Sequence, residues 1–514
     1  MKIAPPGSVF EKQEHAPSRP ASPAENSRNS KITARVARLL GARSRSLGRA
    51  PSAIGVGDAA HAASAASRRQ PAGAASAGRL GYLVTSFPRV SETFIINEII
   101  ELERQGFDLR IYSMVAATDR IRHRLVDEIH SPIRYLPRPL SRSIGTVLGD
   151  HVWLLVRSPR AYLSTLFRVL TSGALDLIAR FPQAPGLVRR IERDGVTHLH
   201  AGFVHMPGSL AYIVSLLTGC RYSLGTHARD LYHSPPALLR KKLVAARVVF
   251  TCTRYNVAHL QRLSEGVGAF RVRHVYHGTN LERFSFGPCG RSEPPVVLAV
   301  ARLVEKKGLE DLIQASALLR DRDVRFRCHI VGHGELRKSL TQLIRRLDLQ
   351  RLVTLEGAAD QDEVIAWYRR ATVLALPSRV ARDGDRDGIP NVLIEAAACG
   401  LPIISTPVSG IPELVEDGQT GLLVPPGQPV ALADAIDVML RSADLRERVR
   451  ANARARVETA FDVRRNALVI GEELRAVMDP PAERRGWEPP RDTRVAPPVA
   501  APLTSASHTS TEPR

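Results

Sequence analysis

The stretch "RLGYLVTSFPRVSETFIINEIIELERQGFDLRIYSM", Arg79 to Met114, decides the fold. "RLGYLVTSFP" is apolar enough for a buried strand and runs into a loop. "SETFIINEIIELERQG" then sets Phe94, Ile95, Ile99 and Leu102 at helical spacing, and Gly106 stands where a C-terminal cap belongs. "FDLRIYSM" reads as the next strand. Strand, loop, helix and strand in so short a span predict a parallel sheet with crossover helices.

The pattern recurs outward. The segment from about Arg120 to Arg193 reads as helical and irregular, and the strands "THLHAGF", "RYSLGTHA", "RVVFTCT" and "VRHVYHG" follow it. "FSFGPCGRSEPP", Phe284 to Pro295, reads as a linker. A second alternating unit carries the strands "PVVLAVAR", "FRCHIVG", "LVTLEG", "TVLALPS", "PIISTPV" and "GLLVPP", with helices such as "GLEDLIQASALL" and "GELRKSLTQLIRRL" between them. The expectation is an α/β protein of two doubly wound, Rossmann-like domains, 79–283 and 296–455, joined by the linker 284–295. A helix over 456–479 is expected to return to the first domain. Ligands bind beyond the carboxyl ends of strands in such sheets, so two facing halves form one cleft.

A chain of 514 residues suits two or three domains. Its net charge of +21 and pI near 10.5 suggest an anionic partner. Residues 1–78 hold twelve Lys or Arg against four Asp or Glu and are otherwise rich in Ala, Ser, Pro and Gly. Such a segment buries too little to offset the entropy of ordering and is expected to be disordered, as is the Pro-rich tail 480–514. Within the first tail, "KITARVARLLGARSRSLGRA" fits either a basic amphipathic helix on an anionic membrane or a solvated tail. The five cysteines form no CxxC pair, and they read as reduced thiols of a cytoplasmic protein. No apolar run reaches the roughly 18 residues of a membrane span, and no signal-peptide block opens the chain. Nucleic-acid binding is not expected, because the basic excess lies partly in the tail and no base-stacking motif accompanies it.

The chemistry gathers in "DGDRDGIPNVLIEAAACGLP", Asp383 to Pro402. The strand "TVLALPS" delivers the loop 379–388. Pro390 suits a first helical turn, which would leave the amides of Asn391, Val392 and Leu393 pointing into the cleft. A helix N-terminus carries about half a positive charge and binds phosphate, so it offers a diphosphate site. Carboxylates beside it accept hydrogen bonds from hydroxyls instead. Glu395 is placed for a ribose and Asp387 for the sugar beyond the phosphates. The competing reading makes Asp387 a helix-dipole partner and turns Glu395 to solvent, which its apolar neighbours oppose. In "AVARLVEKKGLEDLI", Arg302 and Lys307 leave a strand end and reach a diphosphate, Arg as a fork and Lys as a point charge. Gly332 and Gly334 of "VGHGEL" permit close backbone approach to a base or phosphate. His227 of "GTHARDLY" faces the same cleft from the first half.

The set "ARLVEKKGLEDLI", "VGHGEL" and "DGIPNVLIEAAACGLPIISTPVSGIPELVEDGQTGLLVPPG" resembles glycosyltransferase family 4, with its two-domain GT-B fold. "SFPRVSETFIINEI", "SLGTHARDLY", "CTRYNVAHL" and "YHGTNLERF" resemble transferases of the colanic-acid and exopolysaccharide type. The resemblance runs from about Gly81 to Val477. It implies a retaining hexosyltransferase of surface polysaccharide synthesis, with no enzymic nucleophile and neither metal nor other cofactor. It matches the family's paired acids to Asp387 and Glu395, its diphosphate-binding pair to Arg302 and Lys307, and its sugar-contacting histidine to His227. Asp387 is shorter than the usual glutamate, which leaves the donor open. Gly202 of "HLHAGF" stands where relatives commonly carry histidine, which puts the acceptor side in doubt, and Ser409 stands where glycine is frequent. "DRD", Asp385 to Asp387, resembles the metal-binding motif of the other glycosyltransferase fold, in a context that does not match that fold. The implied partners are a nucleotide-diphosphate sugar and a lipid-linked or glycan acceptor. A nucleotide-sugar epimerase and a non-catalytic glycan-binding protein are the alternatives. The implied location is cytoplasmic and peripheral on the inner membrane. "HVWLLVRSPRAYLSTLFRVL" suits this: Trp153, Leu154, Leu155, Tyr162, Leu163 and Phe167 mix with Arg157, Arg160 and Arg168, either for an anionic membrane surface or as packing on the first sheet.

Overall fold

A computed structural model describes residues 78–89, 92–116, 124–136, 144–265, 268–288, 290 and 292–478. The tails expected to be disordered lie outside the described residues, apart from Gly78, as does Cys289.

In the first sheet β1 (Arg79–Phe87) is central. It pairs in parallel with β2 (Leu109–Ala116) on one side and β4 (Val196–Ala201) on the other. Beyond β2 lies β3 (Ile133–Tyr135); beyond β4 follow β5 (Arg221–Thr226), β6 (Val249–Thr251) and β7 (Val272–His274). The second sheet repeats the plan. β8 (Val296–Val300) is flanked by β9 (Arg327–Val331) and then β10 (Val353–Gly357). On its other side come β11 (Val373–Ala375), β12 (Ile403–Ser405) and β13 (Leu422–Leu423). Every pairing is parallel, and each sheet winds one way and then the other from its first strand. This is the expected two-domain α/β fold.

The helix Thr93–Arg104 buries Ile95, Ile96, Ile99, Ile100 and Leu102. It ends as its sequence demands. Gly106 takes φ 83°, its N–H donates to the Glu103 carbonyl, and that of Phe107 donates to Leu102. That pair of bonds satisfies carbonyls the helix leaves open, and a left-handed residue without Cβ makes it cheap. Apolar clusters cover both faces of both sheets.

Two differences from expectation have local causes. β3 has three residues, partly or fully exposed, and so shows no buried run in the sequence. In the irregular middle, the helices Ile144–Arg157 and Pro159–Thr171 turn Leu154 and Tyr162 into the core while Leu163 and Phe167 stay exposed. The segment therefore packs on the first domain with one side and leaves apolar residues of the other side exposed.

At the chain's far end, the helix Ala443–Ala460 packs on the helix Asn391–Cys399 of the second domain. The next helix, Val463–Met478, lies instead against Thr93–Arg104 of the first. Arg475 donates to the Gln105 carbonyl at 2.7 Å, and buried Glu473 pairs with Arg271 and Arg273. A crossover of this kind ties the two domains together outside the linker. Among the described residues no helix is long and apolar enough to cross a membrane.

Candidate active site

On the second domain, the loop after β8 tightens into a turn, Glu305–Lys307, closed by Gly308 at φ 62°. A Cβ on Gly308 would strike the Pro377 carbonyl at 1.9 Å, so only glycine lets this loop lie on the one leaving β11. The contact brings four charges together. Lys307 Nζ lies 2.7 Å from Asp387; Lys306 Nζ lies 3.1 Å from Asp385 and 3.3 Å from Asp387. Burial pushes the Asp387 pKa up, but Lys307 and Lys306 outweigh it and the net shift is downward. Burial holds Lys307 below its usual value against the pull of Asp387. Arg302 is exposed at the same strand end, and its charge adds to the depression of Lys307.

Pro390 is the N-cap rather than a first-turn residue; the helix starts at Asn391. The Leu393 N–H donates to the Pro390 carbonyl at 3.0 Å. Of the three amides expected to face a ligand, those of Asn391 and Val392 remain, because the third already closes the first turn. Glu395 is buried, accepts from the Tyr368 hydroxyl at 3.0 Å, and is raised by burial to a pKa of about 7. Gly332 and Gly334 do allow a close approach, but to protein. Added Cβ atoms would meet the Ala301 carbonyl at 1.8 Å and the Leu303 carbonyl at 2.5 Å. The two glycines thus let the loop after β9 support the loop that carries Arg302.

On the first domain, His227 caps the short helix Ala228–Tyr232. Its Nε2 lies 2.8 Å from the Gly202 carbonyl, which can only accept, so Nε2 carries the proton. Nδ1 then accepts from His277 Nε2 at 3.1 Å. Burial lowers the pKa of both rings, His277 the further, so both are neutral at pH 7. Phe94 stacks on His277 at 4.1 Å. A side chain at Gly202 would meet Ile95 and Tyr82 at 3.3 Å, so the departure there is matched by its neighbours. Glu98 lines one cavity with Phe94, His227 and His277, holds the Tyr82 hydroxyl at 2.8 Å, and is raised by burial to about 7. His227, Cys252 and His277 have ligating atoms within 4.8 Å of one another and are the one group among the described residues that could hold a metal ion. Burial pushes the Cys252 thiol up to about 12, and the His227–His277 bond already uses two of the nitrogens, so this cluster is better suited to packing than to ligation.

The two halves meet here. The Cβ position of Gly388 lies 3.8 Å from Cys252 Sγ and 4.0 Å from Ala228 Cβ, so the neighbours of Asp387 and of His227 touch. Arg229 approaches Asp385 at 3.8 Å, and Arg386 lies over the Tyr232 ring at 4.8 Å. Glu413 reaches across to the first domain. It accepts from the N–H of Arg254 at 2.8 Å, from that of Tyr255 at 3.0 Å and from the Tyr276 hydroxyl at 2.8 Å. Thr253 takes the Asn256 N–H, so the start of the helix Arg254–Ser264 is satisfied partly by its own domain and partly by the other.

Lys306, Glu98, His277 and Glu413 were not singled out from the sequence. Lys306 had a signal, its place beside Lys307 in "EKKG"; Glu98 had one in its position between Ile96 and Ile99. Glu413 had none, because its partners are 159 and 158 residues away.

The raised carboxyls carry a stability prediction. Each is shifted from 4.5 to about 7, so each contributes stability below pH 4.5 that is lost as pH rises through 7. Glu98→Gln is expected to melt higher than wild type at pH 8, by up to about 3 kcal/mol in stability, with the gap closing by pH 5. Thermal unfolding across that range checks it; a gap that does not change with pH would refute it.

Residues 285–456 match the family described as glycosyl transferases group 1. Residues 285–456 are therefore a group 1 glycosyltransferase domain, and the two-sheet architecture of the chain is that of the GT-B fold. Within that class the chain is related to exopolysaccharide biosynthesis enzymes. It is 27% identical over 415 residues to a colanic acid biosynthesis glycosyltransferase of Escherichia coli (strain K12), across 78% of this chain and 99% of that one. It is 28% identical to the amylovoran biosynthesis glycosyltransferase of Erwinia amylovora, across 75% of this chain and 96% of that one. The fold is shared with the Anabaena protein HepE, solved with UDP and glucose, at a TM-score of 0.59 and 18% identity over 77% of this chain and 99% of that one.

Proposed function

We propose that the protein moves a hexose, with retention at the anomeric carbon, from a nucleotide-diphosphate sugar to a lipid-linked glycan acceptor at the cytoplasmic face of the inner membrane, in surface polysaccharide synthesis. The observation that carries this reading is the largely buried Lys306–Lys307–Asp385–Asp387 cluster beside the open amides of Asn391 and Val392. Two cations and a helix N-terminus attract a diphosphate. When it arrives, Lys307 turns from Asp387 to phosphate, and Asp387 becomes an acceptor for the donor's sugar hydroxyls. Arg302 and Lys307 then stabilise the charge that grows on the leaving phosphate oxygen as its bond to the anomeric carbon breaks. The acceptor oxygen bonds to that carbon on the same face and passes its proton to the departing phosphate. His227, neutral and held by Gly202, presents its ring to the sugar. Glu395 binds the ribose. The names of the relatives support the polysaccharide setting, and HepE, solved with UDP and glucose, supports the donor class.

A screen of nucleotide sugars with lipid-linked acceptors, read by intact mass, tests the reaction. Donor conversion with no acceptor present would replace it with epimerisation. The division of labour has its own test in calorimetry. Glu395→Gln is expected to weaken binding of the free nucleoside diphosphate, since a carboxylate accepts two ribose hydroxyls better than an amide does. Asp387→Asn is expected to spare the free nucleotide and weaken the full donor; equal losses for both ligands would refute the assignment.

A further inference from the structure

Of the sixteen large apolar side chains exposed among the described residues, ten fall between Ile144 and Ile178. Single exposed apolar residues are ordinary, whereas a contiguous patch marks an interaction surface. These ten are ordered. Ile144, Leu148, Val152 and Val156 repeat every four residues along the outer side of the helix Ile144–Arg157, at 60, 60, 61 and 78% exposure. Leu163, Phe167 and Leu170 line the outer side of Pro159–Thr171. The two helices pack together and are joined by Ser158 alone, so the stripes lie side by side. Their inner sides are already committed: Val147, Leu154, Tyr162 and Val169 are buried. A surface helix normally turns charge outward. Here the outer side is as apolar as the inner one.

The charges that are present share a sign. Arg157, Arg160 and Arg168 are exposed. Asp150 is the one acid between Ile144 and Ser172, and it is buried, 3.0 Å from Arg189. An exposed acid, Glu192, lies 3.5 Å from Arg157. We propose that this face docks on an anionic lipid bilayer, with the apolar stripes entering the headgroup boundary and the arginines meeting lipid phosphates. A second copy of the chain fits worse. A twofold contact sets a patch against itself, and here it would oppose arginine to arginine with few acids between. The docking helices lie in the domain that carries His227, so the bilayer would bring a lipid-linked acceptor to the first-domain side of the cleft.

The inference rests on the membrane location proposed above, but its test needs neither donor nor acceptor. Full-length protein is floated with phosphatidylcholine vesicles and with mixed phosphatidylcholine–phosphatidylglycerol vesicles. Wild type is expected to float with the mixed vesicles, and less so as salt shortens the Debye length from about 8 Å. The combined variant Leu148→Asp, Val156→Asp and Phe167→Asp changes exposed positions only, so its melting curve should match wild type. Its vesicle binding is expected to fall by at least about tenfold, because each substitution replaces an inserted side chain with a charge that anionic lipid repels. Equal flotation of the folded variant would assign attachment to another part of the chain and overturn the proposal. So would equal binding to phosphatidylcholine alone, or no flotation of wild type. A wild-type dimer that the variant breaks, without vesicle binding, would overturn it in favour of self-association. Glycosyl transfer in the absence of flotation would refute the docking face and leave the proposed reaction standing.

Discussion

Arg302→Ala is expected to lower turnover about a hundredfold or more, the scale for losing one contact to charge that develops in a transition state. The melting temperature should not move. Arg302 is exposed at the end of β8, and changes at exposed positions away from caps and buried networks stay within about 0.5 kcal/mol. The two readouts together make the experiment decisive. A structural arginine would lose stability and keep its chemistry; a diphosphate ligand does the reverse. Activity within tenfold of wild type in a folded variant would remove Arg302 from the site.

Lys307→Ala is expected to cost at least as much turnover, and stability as well. The lysine is buried and holds Asp387, whose side chain is 12% exposed, at 2.7 Å, so its removal strips a largely buried carboxylate of its nearer partner. Lys306 remains 3.3 Å from that carboxylate, which limits the loss to roughly 2 kcal/mol, below the usual cost of orphaning a buried charge. The double variant Lys307→Ala, Asp387→Asn separates the effects. It should recover most of the stability, because no anion is left in want of a partner, and none of the turnover. Recovered turnover would mean that Lys307 serves only to neutralise Asp387.

The fold was legible because its signals are local. Alternation of apolar strands with helices of 3.6-residue spacing predicts parallel sheets, and Gly106 marked a helix end that the structure closes with the expected pair of bonds. β3 was not legible, since three part-exposed residues leave no periodic trace. At the site, the sequence showed that Lys307 and Asp387 stand at strand ends of one sheet, but not that they touch. Nor did it show that Gly332 and Gly334 are spent on the backbone of Ala301 and Leu303. Contacts of that kind depend on which loops the sheet order brings side by side. The outer stripe from Ile144 to Leu170 shows a further limit. Apolar periodicity reveals that a helix has an apolar side, and where two sides are apolar it cannot say which one the protein covers.

The carboxylate of Glu413 has a kinetic consequence. It fills the amide ends of the helix Arg254–Ser264 from the opposite domain. For the domains to part, that helix must give up its borrowed anion and let water take its place, and Tyr276 must release the same group. Gly410, three residues earlier on the same segment, lies so near Thr253 that an added Cβ would meet its side chain at 2.6 Å. Parting the two domains there would mean breaking three bonds to one carboxylate. In the proposed reaction, a spent nucleotide that needs the gap to widen would wait on that rupture, so Glu413 would bear on turnover without meeting the sugar.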